Sequence, residues 1–188
     1  TEVSFRNLEQ LSSVSVLLSQ DERMRLQGRI DRIDVCRKDG KVYVRVVDYK
    51  SGSTKFDLTS IYYGLQLQLA VYLNAAVELK RRQQDGKEEI HPAGMFYYHI
   101  EDPLLEYEEE EDPARKLLKE LAFNGLVNTE DGIVGLMDRE METGSDILPV
   151  RRKKDGGYTA ASSVAEEEQF RLLMGHVRRR IAEYGERI

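Results

Sequence analysis

GRIDRIDVCRKDGKVYVRVVDYK, residues 28–50, is the stretch that decides how this chain folds. Two runs rich in β-branched residues flank Asp39-Gly40. That dipeptide between apolar runs is a strong hairpin signal, because a type I′ turn needs two residues that tolerate positive φ. With Asp39 and Gly40 in the turn, Lys38 faces Lys41, and counting outward sets Asp31 opposite Asp48. Opposed residues point to the same face with Cβ atoms roughly 4.5–5.5 Å apart. Lys50 lies two residues beyond Asp48 and projects from that face too. Asp34 falls opposite Arg45 on the other face, where a cross-strand ion pair is its expected role. A bulge between 31 and 48 would shift the register and undo the assignment.

Two carboxylates this close repel unless a cation lies between them or one takes up a proton. Carboxylate oxygens are the hard ligands that Mg²⁺ prefers, with water and substrate phosphate completing its shell. The ion can polarise a phosphoryl oxygen and lower the pKa of a bound water. An adjacent ammonium can stabilise charge on the phosphate or position the attacking water. Asp31, Asp48 and Lys50 therefore suit metal-assisted phosphodiester hydrolysis. The plainer alternative is a surface ion pair, since D-x-K is a short pattern.

With 188 residues, 40% of them hydrophobic, the chain can hold one sizeable core, and a single domain over 1–188 is expected. It has no apolar run approaching a membrane span and no secretory pattern at its start, so a cytoplasmic setting is the expectation. Cys36 is the one cysteine, which excludes an internal disulfide and argues against a cysteine metal cluster. The net charge of −6 does not favour nucleic-acid binding, which draws its non-specific affinity from lysine and arginine. The acids cluster at Glu106 and over 108–112, whereas Arg23, Arg25, Arg29 and Arg32 crowd near the proposed site. DNA would then be gripped mainly by something outside this chain.

Outward from the hairpin, alternation over 13–18 reads as a strand, 19–22 as a turn, and 24–36 as the strand entering the hairpin. Thr59 or Ser60 can cap a helix over 59–82, with Ile61, Leu65, Gln68, Tyr72, Ala76 and Leu79 on one face. Gln68 and Tyr72 are polar groups on that core-facing stripe and need partners. A site on the adjoining sheet would supply them, as would local backbone groups; Gln66 is a weaker candidate. Residues 93–100 read as a strand, 113–123 as a helix with Pro113 in its first turn, and 128–140 as a short helix. Residues 81–89 form a charged loop, and 151–157 suggest a hairpin with a basic arm. Ser163 to Glu166 reads as a capping box opening a last helix over 163–185. His91 and His99 have no cysteine or carboxylate at ligand spacing.

Gly-Arg-Ile-Asp-Arg-Ile-Asp at 28–34, Val-Asp-Tyr-Lys-Ser-Gly at 47–52 and Gly-Leu-Gln-Leu-Gln-Leu-Ala-Val-Tyr-Leu at 64–73 resemble the PD-(D/E)xK nuclease core of the RecB-like group. The longer text at 93–103, 124–127, 136–140 and 162–170 is similar to the C-terminal nuclease region of the AddB family. The resemblance implies a restriction-endonuclease-like α/β fold, a mixed β-sheet flanked by helices. It implies that Asp31, Asp48 and the Tyr49 backbone carbonyl bind Mg²⁺ (or Mn²⁺), that Lys50 is the catalytic lysine, and that Gln68 and Tyr72 form the family's Q-x-x-x-Y motif. Single-stranded DNA would be cut by an exonuclease working with an AddA-like helicase–nuclease partner, in double-strand break repair and recombination. The family also places an acid or histidine upstream, and four cysteines around an iron–sulfur cluster. Cys36 matches none of these, so the chain reads as a fragment, expected to be monomeric, that lacks both features.

The residues also leave room for a rival: a non-catalytic DNA- or partner-binding module carrying a relic site. Intact Asp31, Asp48 and Lys50 count against it, and the acidity counts for it. Arg29, opposite Lys50 if the register continues, would add a phosphate contact.

Overall fold

The computed structural model describes residues 10–17, 23–83, 88–100, 103, 112–130 and 132–187. The expected turn at 19–22, the middle of the charged loop at 84–87 and the acidic run at 108–111 lie outside them. Strands β1 (Gln10–Leu17) and β2 (Arg23–Arg29) form an antiparallel pair. Five more strands form a mixed sheet in the order β3 (Arg32–Lys38), β4 (Lys41–Lys50), β5 (Glu89–His99), β6 (Asn124–Asn128), β7 (Val164–Ala165).

The β3–β4 hairpin keeps the expected register without a bulge, from Lys38 opposite Lys41 to Arg32 opposite Val47. Asp39 and Gly40 have φ of 53° and 77°, the left-handed pair a type I′ turn requires. The strand expected over 24–36 is broken, however. Ile30 and Asp31 leave the strand path, Ile30 turns into the core, and Arg29 pairs with Gln10 rather than facing Lys50. The alternating pattern runs through the break, so the chain changes sheets without a breaker residue.

β4 is buried on both faces. Val42, Val44 and Val46 point toward the helices α2 (Gln68–Gln83) and α5 (Glu167–Gly185), in a core with Leu69, Leu73, Phe170 and Val177. Each fully buried valine contributes about 1.5–3 kcal/mol. On the far face Val47 packs with Phe96, Val127, Val134, Leu148 and Val150, beneath α4 (Ile133–Met137). α2 carries the chain from β4 to its parallel neighbour β5, a βαβ unit. Between β5 and β6 the Phe96 ring lies over Gly94 and Gly125. A Cβ on Gly125 would come within 2.0 Å of the Met95 carbonyl oxygen.

The helix expected over 59–82 is two pieces. α1 (Leu58–Tyr62) is capped by Asp57, whose carboxylate accepts from the Thr59 and Ser60 amides; neither Thr59 nor Ser60 is the cap. Gly64, at φ 82°, ends the turn beneath Tyr184, whose hydroxyl would lie 2.2 Å from any Cβ placed there. Leu65 is consequently 78% exposed, not core-facing. Further on, α3 (Pro113–Glu120) starts at Pro113 as expected. The helix expected over 128–140 shrinks to α4, and Asn128 belongs to β6. The capping box shifts to Glu166 and Gln169, because Val164 and Ala165 pair with β6. Among the described residues no helix is long and apolar enough to cross a membrane.

Candidate active site

The end of β4 carries the charged groups. Asp48 shares the face of Val44 and Val46 and is only 3% exposed, an unfavourable place for a carboxylate without partners. Lys50 Nζ lies 2.6 Å from its Oδ2, and Gln68 Nε2 donates to its Oδ1 at 3.2 Å. Asp31, in the bend before β3, accepts from the Tyr49 amide through Oδ2 at 3.0 Å. Burial raises the Asp48 carboxyl pKa, the Lys50 ammonium opposes that shift, and the Asp31 carboxylate adds to it. The two acids thus act on one another, although the ladder ends at Arg32 opposite Val47 and Asp31 approaches from the bend rather than as a paired strand residue.

Gln68 is the first residue of α2, so the break after α1 places it at a helix start facing the strand end rather than in the core. Its Oε1 accepts from Lys50 Nζ at 2.9 Å, and its Nε2 also donates to the Tyr72 hydroxyl at 3.0 Å. The amide orientation is forced: an ammonium can only donate, and a carboxylate can only accept. Tyr72, one turn on, packs toward Gly28 of β2, where a Cβ would stand 3.6 Å from the ring. Burial works against the Lys50 charge, but its hydrogen bond and attraction to Asp48 prevail, with help from Tyr97 and Tyr72, and its pKa is raised.

The donor set suits a hard divalent cation. Asp48 Oδ2 is buried and accepts no well-aligned hydrogen bond, although Lys50 is beside it. In a strand the N–H and C=O of one residue point to the same side. The Tyr49 N–H points to Asp31, and the Lys50 carbonyl turns the other way to accept from Ile100 at 2.9 Å. The Tyr49 carbonyl therefore faces the gap beyond the start of β3, beside both acids. A buried carboxylate, a second carboxylate that acts on it and a backbone carbonyl at the strand edge together fit an oxygen-coordinated ion.

The other expected participants divide cleanly. Asp34 accepts from Arg45 at 2.7 Å and from Arg32 at 2.8 Å, a structural ion pair on the opposite face. Gln66 ties down the preceding loop, accepting from the Asp57 amide and donating to the Lys55 carbonyl. His99 bonds the Thr54 carbonyl at 2.7 Å. Arg29 and the basic residues 151–154 are exposed. His91 departs from expectation: Glu130 and Glu167, remote in sequence, converge on it. Its spacing along the chain gave no signal of that meeting.

Comparison with known proteins matches residues 1–187 to the PD-(D/E)XK nuclease superfamily. The relatives are subunits of ATP-dependent helicase/deoxyribonucleases. The chain is 46% identical over 179 residues to the one from Lachnoclostridium phytofermentans, covering 89% of this chain and 15% of that protein. To the protein of the same name from Clostridium novyi it is 41% identical over 183 residues, covering 96% of this chain and 16% of the relative. For the counterpart in Thermoanaerobacter sp. strain X514 the figures are 36% over 190 residues, 100% and 16%. The chain spans about 15–16% of the length of these curated relatives. The mixed five-stranded sheet with flanking helices agrees with the restriction-endonuclease-like fold of that superfamily.

Proposed function

This chain belongs to the PD-(D/E)XK nuclease superfamily, and on that premise we propose that it hydrolyses DNA phosphodiester bonds with a divalent metal, as the nuclease part of a longer helicase–deoxyribonuclease subunit. Asp31, Asp48 and the Tyr49 carbonyl would hold Mg²⁺ (or Mn²⁺). The bound ion would polarise a phosphoryl oxygen and lower the pKa of a coordinated water. Lys50 would stabilise negative charge building on the scissile phosphate or steady the attacking water. Gln68 positions that ammonium and Asp48 together, and Tyr72 holds Gln68. In the reaction water oxygen adds to phosphorus and one P–O ester bond breaks. The water's protons pass to the leaving oxygen and to solvent.

The substrate is single-stranded DNA delivered by an AddA-like helicase partner, and the setting is double-strand break repair and recombination. The relatives' names, which pair helicase with deoxyribonuclease, support this reading. So does the net charge of −6, which calls for DNA to be held largely by surfaces beyond this chain. The observation that carries the proposal is the Asp48 carboxylate, buried at the strand end with the Lys50 ammonium on one oxygen, the Gln68 amide on the other and the Asp31 carboxylate beside it. A relic binding module would not need that arrangement. The test is Mg²⁺-dependent cleavage of end-labelled single-stranded DNA by the full-length protein with its partner. Asp48→Asn and Lys50→Ala should each lose cleavage, and full activity in both would overturn the assignment.

A further inference from the structure

We propose that His91, Glu130 and Glu167 form a second divalent-metal site, of the Zn²⁺ class, at the end of the sheet remote from Asp48. Tyr43 pairs with His91 and Asp48 with Tyr97 along the β4–β5 ladder. Six residues of strand separate the two levels, roughly 20 Å. His91 comes from the start of β5, Glu130 from the turn after β6, and Glu167 from the first turn of α5.

One ligand atom from each residue lies within 4.8 Å of the other two. His91 Nδ1 is 3.4 Å from Glu167 Oε1 and 3.8 Å from a Glu130 oxygen. Ligand atoms about 2.0–2.2 Å from one tetrahedral ion stand roughly 3.3–3.6 Å apart, so the His91–Glu167 pair already fits and Glu130 would draw inward on binding. His91 Nδ1 and Glu130 Oε2 are buried, and neither makes a hydrogen bond. The imidazole nitrogen is thus close to both carboxylates without being directed at either as a donor. An ion among the three would occupy those lone pairs.

A fully buried amide holds the acids in place. Asn128, 0% exposed, donates through Nδ2 to Glu167 Oε2 at 2.5 Å and to the Pro92 carbonyl at 2.7 Å. Its Oδ1 accepts from the Glu130 amide at 2.9 Å. One side chain therefore holds the Glu167 carboxylate and the Glu130 backbone, the part that outer hydrogen-bonding partners play at metal centres. Lys41 Nζ, 3.5 Å from Glu130 Oε1, and Glu89, 3.3 Å from His91 Nε2, complete the charged surroundings. Glu167 has a second reason to be there, since a helix start favours acids. An imidazole with two carboxylates favours Zn²⁺, Mn²⁺ or Co²⁺ over the all-oxygen shell of Mg²⁺.

The test uses the full chain carrying Asp31→Asn and Asp48→Asn, so that the nuclease corner is out of play. Zn²⁺ is titrated by calorimetry, and Co²⁺ is followed by its visible absorption. Relative to that parent, Glu130→Gln and His91→Gln should each lose one bound ion and the Co²⁺ bands. Asn128→Ala should weaken binding by roughly 10–100-fold. The melting temperature of the parent should rise with Zn²⁺, and that of Glu130→Gln should not. Equal stoichiometry and equal thermal response in parent and variants would overturn the site, leaving a histidine–carboxylate cluster only. Should His91→Gln fail to fold, the comparison of Glu130→Gln with the parent decides alone. Failure of this proposal would leave the nuclease reading untouched, because no readout here is cleavage.

Discussion

The two ends of the central strands solve the same electrostatic problem differently. At the Asp48 end a carboxylate pair is balanced by Lys50, a cation the chain supplies itself, and the polar groups beside it open toward solvent. At the His91 end two carboxylates meet an imidazole, Lys41 pairs with Glu130 beside them, and the buried Asn128 bonds the Glu167 carboxylate and the Glu130 backbone. The first joins a strand end to a helix start; the second ties three elements together. The sharpest way to separate them is Asp48→Asn. Cleavage of single-stranded DNA should fall about 10³-fold or more, roughly 4 kcal/mol of barrier, measured with labelled substrate in Mg²⁺. The Co²⁺ absorption at the other end should be unchanged. Loss of both signals from this one substitution would mean that the ends are one coupled site.

A defect in the sheet they share should instead affect both. Gly125 of β6 lies against β5, and a methyl there meets backbone atoms of Met95 and Phe96, which cannot rotate away. Gly125→Ala is expected to lower stability by about 2–3 kcal/mol, read as a drop in urea midpoint at unchanged slope. Cleavage and metal binding should then fail together as the sheet melts.

Asp34, on the reverse side of the hairpin from Asp48, offers a smaller lever. Burial alone would raise its pKa, but the Arg32 hydrogen bond and the Arg45 charge hold it below its ordinary 3.8. A carboxyl with a depressed folded pKa contributes stability that is complete above its unfolded value and is lost as pH falls through the folded one. Asp34→Asn should therefore cost about 1–2 kcal/mol at pH 7 and progressively less as the pH drops below about 4. A difference that holds constant to strongly acidic pH would show that the ion pair is not its source.

Where the sequence was sufficient, local chemistry was strong. Asp39-Gly40 permits one turn type, and from that turn the partners of residues 32–38 follow by counting, as does the placing of Asp48 and Lys50 on one face. Where it was insufficient, tertiary contacts decided. Ile30 leaves its strand to fill the core, though alternation alone continues through it. Gly64 breaks the helix because the Tyr184 hydroxyl from α5 lies beneath it; the glycine was visible, its reason for being there was not. Ser163 satisfies a capping pattern, but the two residues after it are taken by β6. The His91 cluster was unreadable for the same reason: its members come from three elements whose adjacency only the sheet order establishes.

The finest distinction concerns the two polar side chains at the start of α2. Gln68 bonds Lys50, Asp48 and Tyr72 at once, whereas Tyr72 bonds only Gln68 among these groups. If Tyr72 acts through Gln68, Tyr72→Phe removes one hydrogen bond worth about 0.5–1.5 kcal/mol, a loss of roughly 2–13-fold in turnover. The ring that packs toward Gly28 would stay, so stability should barely move. Gln68→Ala should cost more, since the ammonium and Asp48 both lose a partner. Equal losses on the scale of Asp48→Asn would place the tyrosine hydroxyl on the substrate itself. A Tyr72→Phe defect confined to KM would point to contact with the DNA backbone rather than support of Lys50.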